Sequence, residues 1–135
     1  MDIPGLELKT HMSLMADLDL PLWVPVRLYY QSTDPYAVHC SFYVTPDHVV
    51  QWMFARDLLD QGLTEPTGTG DVKITPIDQS RRFSIELESP AGYARLEGPA
   101  ASVRAWLAKT FEVVPAGRET ERIDIDSFLA EVLSH

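Results

Sequence analysis

The strongest constraint on the fold is a succession of segments in which apolar and polar residues alternate, each ended by proline, glycine or short polar residues. The first covers residues 6–16, where every second position is apolar or threonine. Alternation with a period of two places one set of side chains on one face, which is the pattern of a half-buried β-strand. Similar segments follow at residues 22–31, 38–45 and 49–55. The first part of the chain is therefore predicted to form successive strands.

Two of these strands carry features that predict their place in a sheet. Pro25 lies within the second strand and predicts an edge position or a bulge, because proline has no N–H to donate to a neighbouring strand. Residues 49–55 are apolar at nearly every position, so the fourth strand is predicted to be covered on both faces.

The middle of the chain predicts a short helix, a loop and three further strands. Residues 56–63 read as the helix, which Gly62 ends in the C′ position. Residues 64–70 contain a proline and two glycines and are predicted to form a loop. The strands are predicted at residues 71–77, 82–89 and 92–98, and Pro90-Ala91-Gly92 makes a tight turn between the last two.

Two helices are predicted at the C-terminal end. Pro99 suits the first turn of one helix, and Asp124 or Asp126 suits the N-cap of the other. Each has an apolar stripe at helical spacing: Val103, Trp106, Leu107, Phe111 and Val114 in the first, and Ile125, Phe128, Leu129, Val132 and Leu133 in the second. The predicted fold is a single α+β domain over residues 1–135, a mostly antiparallel sheet of about seven strands with a short mid-chain helix and two C-terminal helices.

The charge of the chain restricts the class of partner. It carries 20 acidic and 11 basic residues, a formal net charge of −9 at pH 7. Such a chain repels nucleic-acid phosphates and anionic lipids unless its few cations are gathered on one face. A lone cysteine, no long apolar run and an N-terminus without signal-peptide features predict a cytoplasmic location. A protein is the expected partner, and nucleic acid is not.

The residues that could carry chemistry form no known constellation. His39 and Cys40 are adjacent on a strand and point to opposite faces, so Cys40 is predicted to be a core residue and His39 an outward one. Gly68-Thr69-Gly70 lacks the ending of a phosphate-binding loop and leads into a strand. No catalytic, cofactor-binding or metal-binding residue is predicted.

Aromatic residues in the first four strands are the remaining functional signal. Trp23, Tyr29 and Tyr43 fall on the outward set of positions. Such residues stack on single-stranded bases in some proteins and form protein interfaces in others. The scattered arginines favour the interface, with self-association as one form of it, because helices on one side of a sheet leave the other side uncovered. The alternative is that a loop or the C-terminal helix covers these side chains.

The order of motifs along the chain resembles the SsgA-like family of actinobacterial sporulation and cell-division proteins. The resemblance extends over nearly the whole chain in order and spacing. It is carried by residues 34–38 (DPYAV), 52–59 (WMFARDLL), 62–63 (GL), 66–72 (PTGTGDV), 87–92 (LESPAG), 96–97 (LE) and 124–126 (DID).

The resemblance implies a non-enzymatic adaptor that marks future septum sites and recruits the tubulin-like division GTPase FtsZ. It also implies association with a related SsgA-like protein and tethering at the cytoplasmic face of the membrane, through partners or a weak surface. The family is similar in fold to the Whirly proteins, which bind single-stranded nucleic acid through oligomers of a curved sheet. A homo-oligomer, dimer or trimer, is therefore expected, and a Whirly-like nucleic-acid-binding regulator is the alternative function.

Within the motif at residues 52–59, Arg56 has two interpretations. It contributes to a partner surface, where arginine is enriched. Alternatively it has a structural role, in which its guanidinium pairs with a nearby acid or donates to a loop carbonyl. Together with Trp23, Tyr29 and Tyr43 it completes the predicted partner-binding residues.

Overall fold

The computed structural model describes residues 5–15 and 22–122, which form a sheet with helices on one side. The helices are α1 (Arg56–Gly62) and α2 (Ala100–Val113), and a 3-10 turn follows at Glu119–Arg122. The strands are β1 (Leu6–Met15), β2 (Leu22–Tyr30), β3 (Ala37–Thr45), β4 (His48–Ala55), β5 (Val72–Ile77), β6 (Arg82–Ser89) and β7 (Gly92–Pro99).

All seven described strands pair antiparallel in one sheet, in the order β4-β3-β2-β1-β7-β6-β5. β1 lies at the centre and joins the two halves, because it pairs with β2 on one side and through Ser13–Met15 with β7 on the other. The sheet is curved, and the α+β prediction is confirmed. The second predicted C-terminal helix lies outside the described residues, and the likeness to the Whirly proteins stays a prediction.

The core lies on the concave side of the sheet, beneath the helices. β2 shows why the alternation gives this result: Val24, Val26, Leu28 and Tyr30 are buried, and the residues between them are not. α2 packs the predicted stripe against β1 and β6, with Val103, Trp106 and Leu107 buried. α1 packs on β4 and β5 through Leu59. The helices thus cover one face of the sheet.

The expected cover on both faces of β4 is wrong. β4 is the edge strand of the sheet, and most of its side chains are exposed or half-buried, with Phe54 buried. Met53 is 61% exposed. Its apolar composition therefore does not mark a strand between two layers, as it does in parallel sheets.

The edge or bulge predicted from Pro25 is also wrong for the strand as a whole, because β2 lies inside the sheet. The pairing of β2 with β3 nevertheless covers only residues Val26 to Tyr29. Pro25 stands one position beyond the end of this pairing. The absent N–H therefore removes no hydrogen bond from the β2–β3 ladder.

Gly62 does not act as the left-handed C′ residue of α1. It belongs to the last turn of the helix, and the C-cap Leu63 has right-handed backbone angles. The reason for glycine is close packing: a Cβ at this position would overlap the side chain of Ile74 in β5. The small residue lets α1 approach the sheet.

We expect Gly62→Ala to destabilise the fold. Alanine favours a helix by about 1 kcal/mol over glycine, but overpacking against Ile74 typically costs about 1–3 kcal/mol. The net loss should be about 1 kcal/mol at the middle of this range and about 2 kcal/mol at its upper end, measured as a lower midpoint of urea unfolding. Gly70→Ala is the control, since no atom lies within 4 Å of an added Cβ there. Equal midpoints for the two variants would contradict this expectation and show that α1 shifts to accept the added methyl group without loss of stability.

Candidate partner surface

The four strands β1–β4 present one face that the helices do not cover. The strand registers place its residues in rows across the sheet, for example Glu7 beside Tyr29, Tyr29 beside His39, and His39 beside Met53. We call this the outer face; it consists of Glu7, Lys9, His11, Ser13, Trp23, Pro25, Arg27, Tyr29, His39, Ser41, Tyr43, Val49, Gln51 and Met53.

The three predicted aromatic residues all lie on the outer face. Trp23 is 68% exposed and Tyr43 is 37% exposed, whereas Tyr29 is half-buried. Neither Trp23 nor Tyr43 is covered by the part of the chain that the structure describes. Met53, which the sequence did not single out, adds a further exposed apolar side chain on the edge strand. The face thus combines aromatic and aliphatic groups, and its role in binding stays a prediction.

Ion pairs restrain the charged residues of the outer face. Arg27 Nε donates to Glu7 Oε2 at 2.6 Å, and Lys9 Nζ lies 3.6 Å from Glu7 Oε1. The hydrogen bond from Arg27 is the main cause that lowers the pKa of the Glu7 carboxyl. The Arg27 guanidinium also lies over the Tyr29 ring, 4.6 Å from its centroid. These cations are therefore engaged within the protein.

A groove of about 350 Å³ runs along the outer face beside the edge strand. Arg27, Tyr29, His39, Gln51 and Met53 are among the residues that line it. His39 points outward as predicted and is held by a contact of 3.1 Å between its Nε2 and Asp34 Oδ2. The groove offers apolar contacts together with amide and imidazole groups, a mixture common at protein interfaces.

Arg56 does not belong to the exposed surface, and its prediction as a partner-binding residue is corrected. The residue is 1% exposed. Its Nη1 donates to the Thr110 carbonyl at 3.1 Å, and its Nη2 donates to Glu119 Oε1 at 3.0 Å. The guanidinium lies 4.0 Å from the Phe111 ring centroid and 5.0 Å from that of Tyr30. The structural interpretation is confirmed for the acid, and the carbonyl that accepts from Arg56 belongs to α2 and not to a loop.

The Arg56–Glu119 pair connects segments that are far apart in sequence. Glu119 is also buried, and its pKa is lowered, chiefly by its backbone hydrogen bond and further by donation from Arg56. The ion pair connects the start of α1 to the turn that follows α2. The sequence did not identify Glu119, and it carries no local signal for a contact 63 positions away.

We expect Arg56→Met to destabilise the protein by about 3 kcal/mol or more, because removing one partner leaves the other charge buried and unpaired. The free energy of unfolding from urea titration measures this loss. The double variant Arg56→Met/Glu119→Gln is the control and should recover part of it, since the uncompensated charge is gone. Simple additivity of the two single losses would contradict a coupled pair.

A second, apolar groove opens on the concave side, beyond the helices. Its volume is about 300 Å³, and its walls come from both halves of the curved sheet. One wall includes Phe42, Val50 and Trp52, and the opposite wall includes Leu87 and Leu96. We call it the inner groove. Sequence reasoning missed it because only the order of the strands brings these walls together.

Residues with reactive side chains form no metal-binding cluster in the ranges that the structure describes. Cys40 is buried as predicted, and burial raises the pKa of its thiol far above the ordinary value. A raised pKa leaves the thiol protonated and unreactive. Within the described residues, no helix has the length and apolar character needed to cross a membrane.

Comparison with known proteins places the chain among non-enzymatic regulators of sporulation and cell division. The family model described as "Streptomyces sporulation and cell division protein, SsgA" matches residues 24–119. The chain belongs to this SsgA family. The family resemblance read from the sequence is confirmed, and a role in cell division follows from it.

Several relatives are named sporulation-specific cell division protein SsgB. The one from Streptomyces coelicolor is 41% identical over 128 residues, which cover 93% of each chain. The one from Thermobifida fusca is 42% identical over 132 residues, which cover 90% of this chain and 96% of the relative.

Solved structures show the same fold. SsgB of Streptomyces coelicolor superimposes with a TM-score of 0.83 at 39% identity, covering 89% of this chain and 96% of the other. An SsgA-like sporulation-specific cell division protein from Thermobifida fusca gives a TM-score of 0.85 at 38% identity, covering 95% of both chains.

Proposed function

We propose that this protein marks septum sites during sporulation and recruits FtsZ to them, as an adaptor at the cytoplasmic face of the membrane. Membership of the SsgA family and similarity to sporulation-specific cell division proteins support this role. The observation that carries the proposal is the aromatic outer face, on which Trp23 and Tyr43 are exposed.

The energetics of an exposed tryptophan favour a binding role. A large aromatic ring gains about 1.5–3 kcal/mol when it moves from water into an apolar contact. Trp23 leaves most of this gain unused, because it is 68% exposed in the isolated chain. Tryptophan and tyrosine dominate the residues that contribute most to protein–protein binding. A partner that covers Trp23 and Tyr43 therefore recovers this free energy.

Neighbouring contacts prepare part of this face for binding. Tyr29 is held between Arg27 and Gly5, where a Cβ would overlap the Tyr29 ring. Arg27 is in turn fixed by Glu7. Side chains that are already ordered lose less conformational entropy on association. The outer face therefore supplies a restrained tyrosine in addition to the more exposed Trp23 and Tyr43.

Other associations belong to the same proposal. A related SsgA-like protein is a second partner, and self-association as a dimer or trimer brings several outer faces to one filament. Contact with the membrane is made through partners or a weak surface, since the net charge of −9 opposes binding to anionic lipid. These interactions place the protein at the division septum.

Electrostatics argues against the nucleic-acid alternative. Binding to single strands needs cations that follow the phosphate backbone beside the stacking rings. On the outer face Glu7 engages both Lys9 and Arg27. The chain as a whole also carries nine more acidic than basic residues, 20 against 11. Aromatic rings accompanied by only these two cations, both within reach of Glu7, favour a protein partner.

We expect the double variant Trp23→Ala/Tyr43→Ala to lose most of its binding to FtsZ filaments. The expected loss is about 2 kcal/mol or more, roughly thirtyfold in Kd, because both rings lie at the proposed contact. The measurement is co-sedimentation with assembling FtsZ over a range of protein concentrations. Tyr36→Ala is the matched control, since Tyr36 is 47% exposed but lies outside the outer face.

Wild-type protein that stays in the supernatant at every salt and nucleotide condition would contradict direct recruitment of FtsZ. Equal binding by the double variant and the wild type would show that the protein binds FtsZ through a surface other than the outer face. A parallel titration with single-stranded DNA tests the alternative function. Binding that weakens steeply as salt rises would support that alternative.

A further inference from the structure

The edge strand β4 exposes backbone hydrogen-bonding groups along its free side. The Arg56 N–H bonds to the Tyr36 carbonyl, next to the residue pair Ala37 and Ala55. That bond makes Ala37–Ala55 a non-hydrogen-bonded pair. Hydrogen-bonded and non-hydrogen-bonded pairs alternate along an antiparallel ladder. Phe54, Trp52 and Val50 therefore bond to β3, whereas the N–H and C=O groups of Val49, Gln51 and Met53 point away from the sheet.

The opposite edge of the sheet, β5, is protected against pairing with other chains, in contrast to the open side of β4. Along β5, the Ile74 N–H donates to the Thr67 carbonyl and the Thr67 N–H donates to the Ile74 carbonyl, both at 2.9 Å. Pro76 and Lys73 also lie in β5. Lysine, proline and a covering loop are the devices by which proteins prevent an edge strand from pairing with other chains. One edge of this sheet carries all of them.

In the part of the chain that the structure describes, β4 carries none of these devices. Its sequence, HVVQWMFA, contains no lysine, no proline and no acidic residue. An exposed apolar edge of this kind pairs readily with a further strand. In a protein whose other edge is blocked, an open β4 is suited to accept a strand from a partner.

Pockets for side chains flank the open edge on both faces of the sheet. Val50 and Trp52 of β4 line the apolar inner groove, on the concave side. Gln51 and Met53 line the mixed groove of the outer face. An added strand directs alternate side chains to these two faces, and peptides that extend a sheet gain their specificity in this way. The inner groove would receive apolar side chains at every second position.

The charges around β4 indicate which strand fits. Asp47 precedes the strand and Asp57 follows it; both are exposed, and neither takes part in an ion pair among the described residues. Acidic groups at both ends complement basic residues that flank the incoming segment. A second copy of this chain fits less well, because each copy carries a net charge of −9.

We propose that the free edge of β4 binds an extended segment of a partner protein, apolar at alternate positions and flanked by Lys or Arg, which adds to the sheet as a further strand. The proposal goes beyond the recruitment of FtsZ, since it assigns a different surface and a chemical class of ligand. It rests on the open backbone groups, the inner groove and the two acidic residues.

The test uses a display library of random peptides of about twelve residues, enough to span a strand of roughly five to six residues with flanks. Peptides enriched on the wild-type protein are titrated against Gln51→Pro and Gln51→Ala. Proline at this position removes one outward N–H and blocks the free edge, but it takes no bond from the β3 ladder. Alanine shortens the side chain and keeps the N–H.

The enriched peptides should alternate apolar residues between basic flanks. They should bind Gln51→Pro at least about tenfold more weakly than Gln51→Ala, because both variants lack the Gln51 side chain and only alanine keeps the outward N–H. Binding should also slow hydrogen exchange at the amides of Val49, Gln51 and Met53 in the wild-type protein, a readout that does not depend on how well the proline variant folds.

The absence of enriched peptides, unchanged exchange at these amides, or equal binding by both variants would overturn the proposal. Because the probe is a peptide and not FtsZ, failure here leaves the co-sedimentation result intact. Likewise, a failure of this protein to co-sediment with FtsZ filaments would not affect the peptide-binding result.

Discussion

The pairing of β1 with β7 is the contact on which the rest of the structure depends. It covers only Ser13–Met15 and Arg95–Glu97, yet it joins a four-stranded half to a three-stranded half in one sheet. Both halves then share a concave side, where Met12 of β1 packs closely against Gly98 of β7. The inner groove exists for the same reason, since its two walls belong to different halves. The shared core and the inner groove therefore both follow from the central position of β1.

The helices occupy one side of this sheet and leave the other side free. Arg56 fixes that arrangement, because its guanidinium binds the end of α2 and the following turn from the start of α1. A buried ion pair contributes little net stability compared with apolar packing, but it allows few alternative geometries once its partners are satisfied. The consequence lies on the opposite face, where Trp23 and Tyr43 remain available to a partner. The position of the helices thus decides which surface the protein offers.

The local pattern of apolar and polar residues predicts most strands and helices. Features that depend on contacts between distant residues could not be predicted in this way. The alternation in β2 and the stripe of α2 each record which face is buried, so both were predictable. The edge position of β4 depends on strand order, and no local signal distinguishes an apolar edge strand from a covered one. Local pattern predicts Gly62 as the C′ residue of α1, because its contact with Ile74 comes from another element. For Arg56 the chemistry of its partners was predictable, but their identity and the burial of the pair were not.

We expect the outer face of the sheet, and not the helical side, to meet the partner. Site-specific photo-cross-linking tests this expectation most directly, with benzoylphenylalanine at position 23 on the outer face or at position 109 on the exposed side of α2. We expect irradiation in the presence of FtsZ filaments to give a covalent adduct from position 23 and little or none from position 109. An adduct from position 109 alone would contradict this expectation and place the contact on the helices.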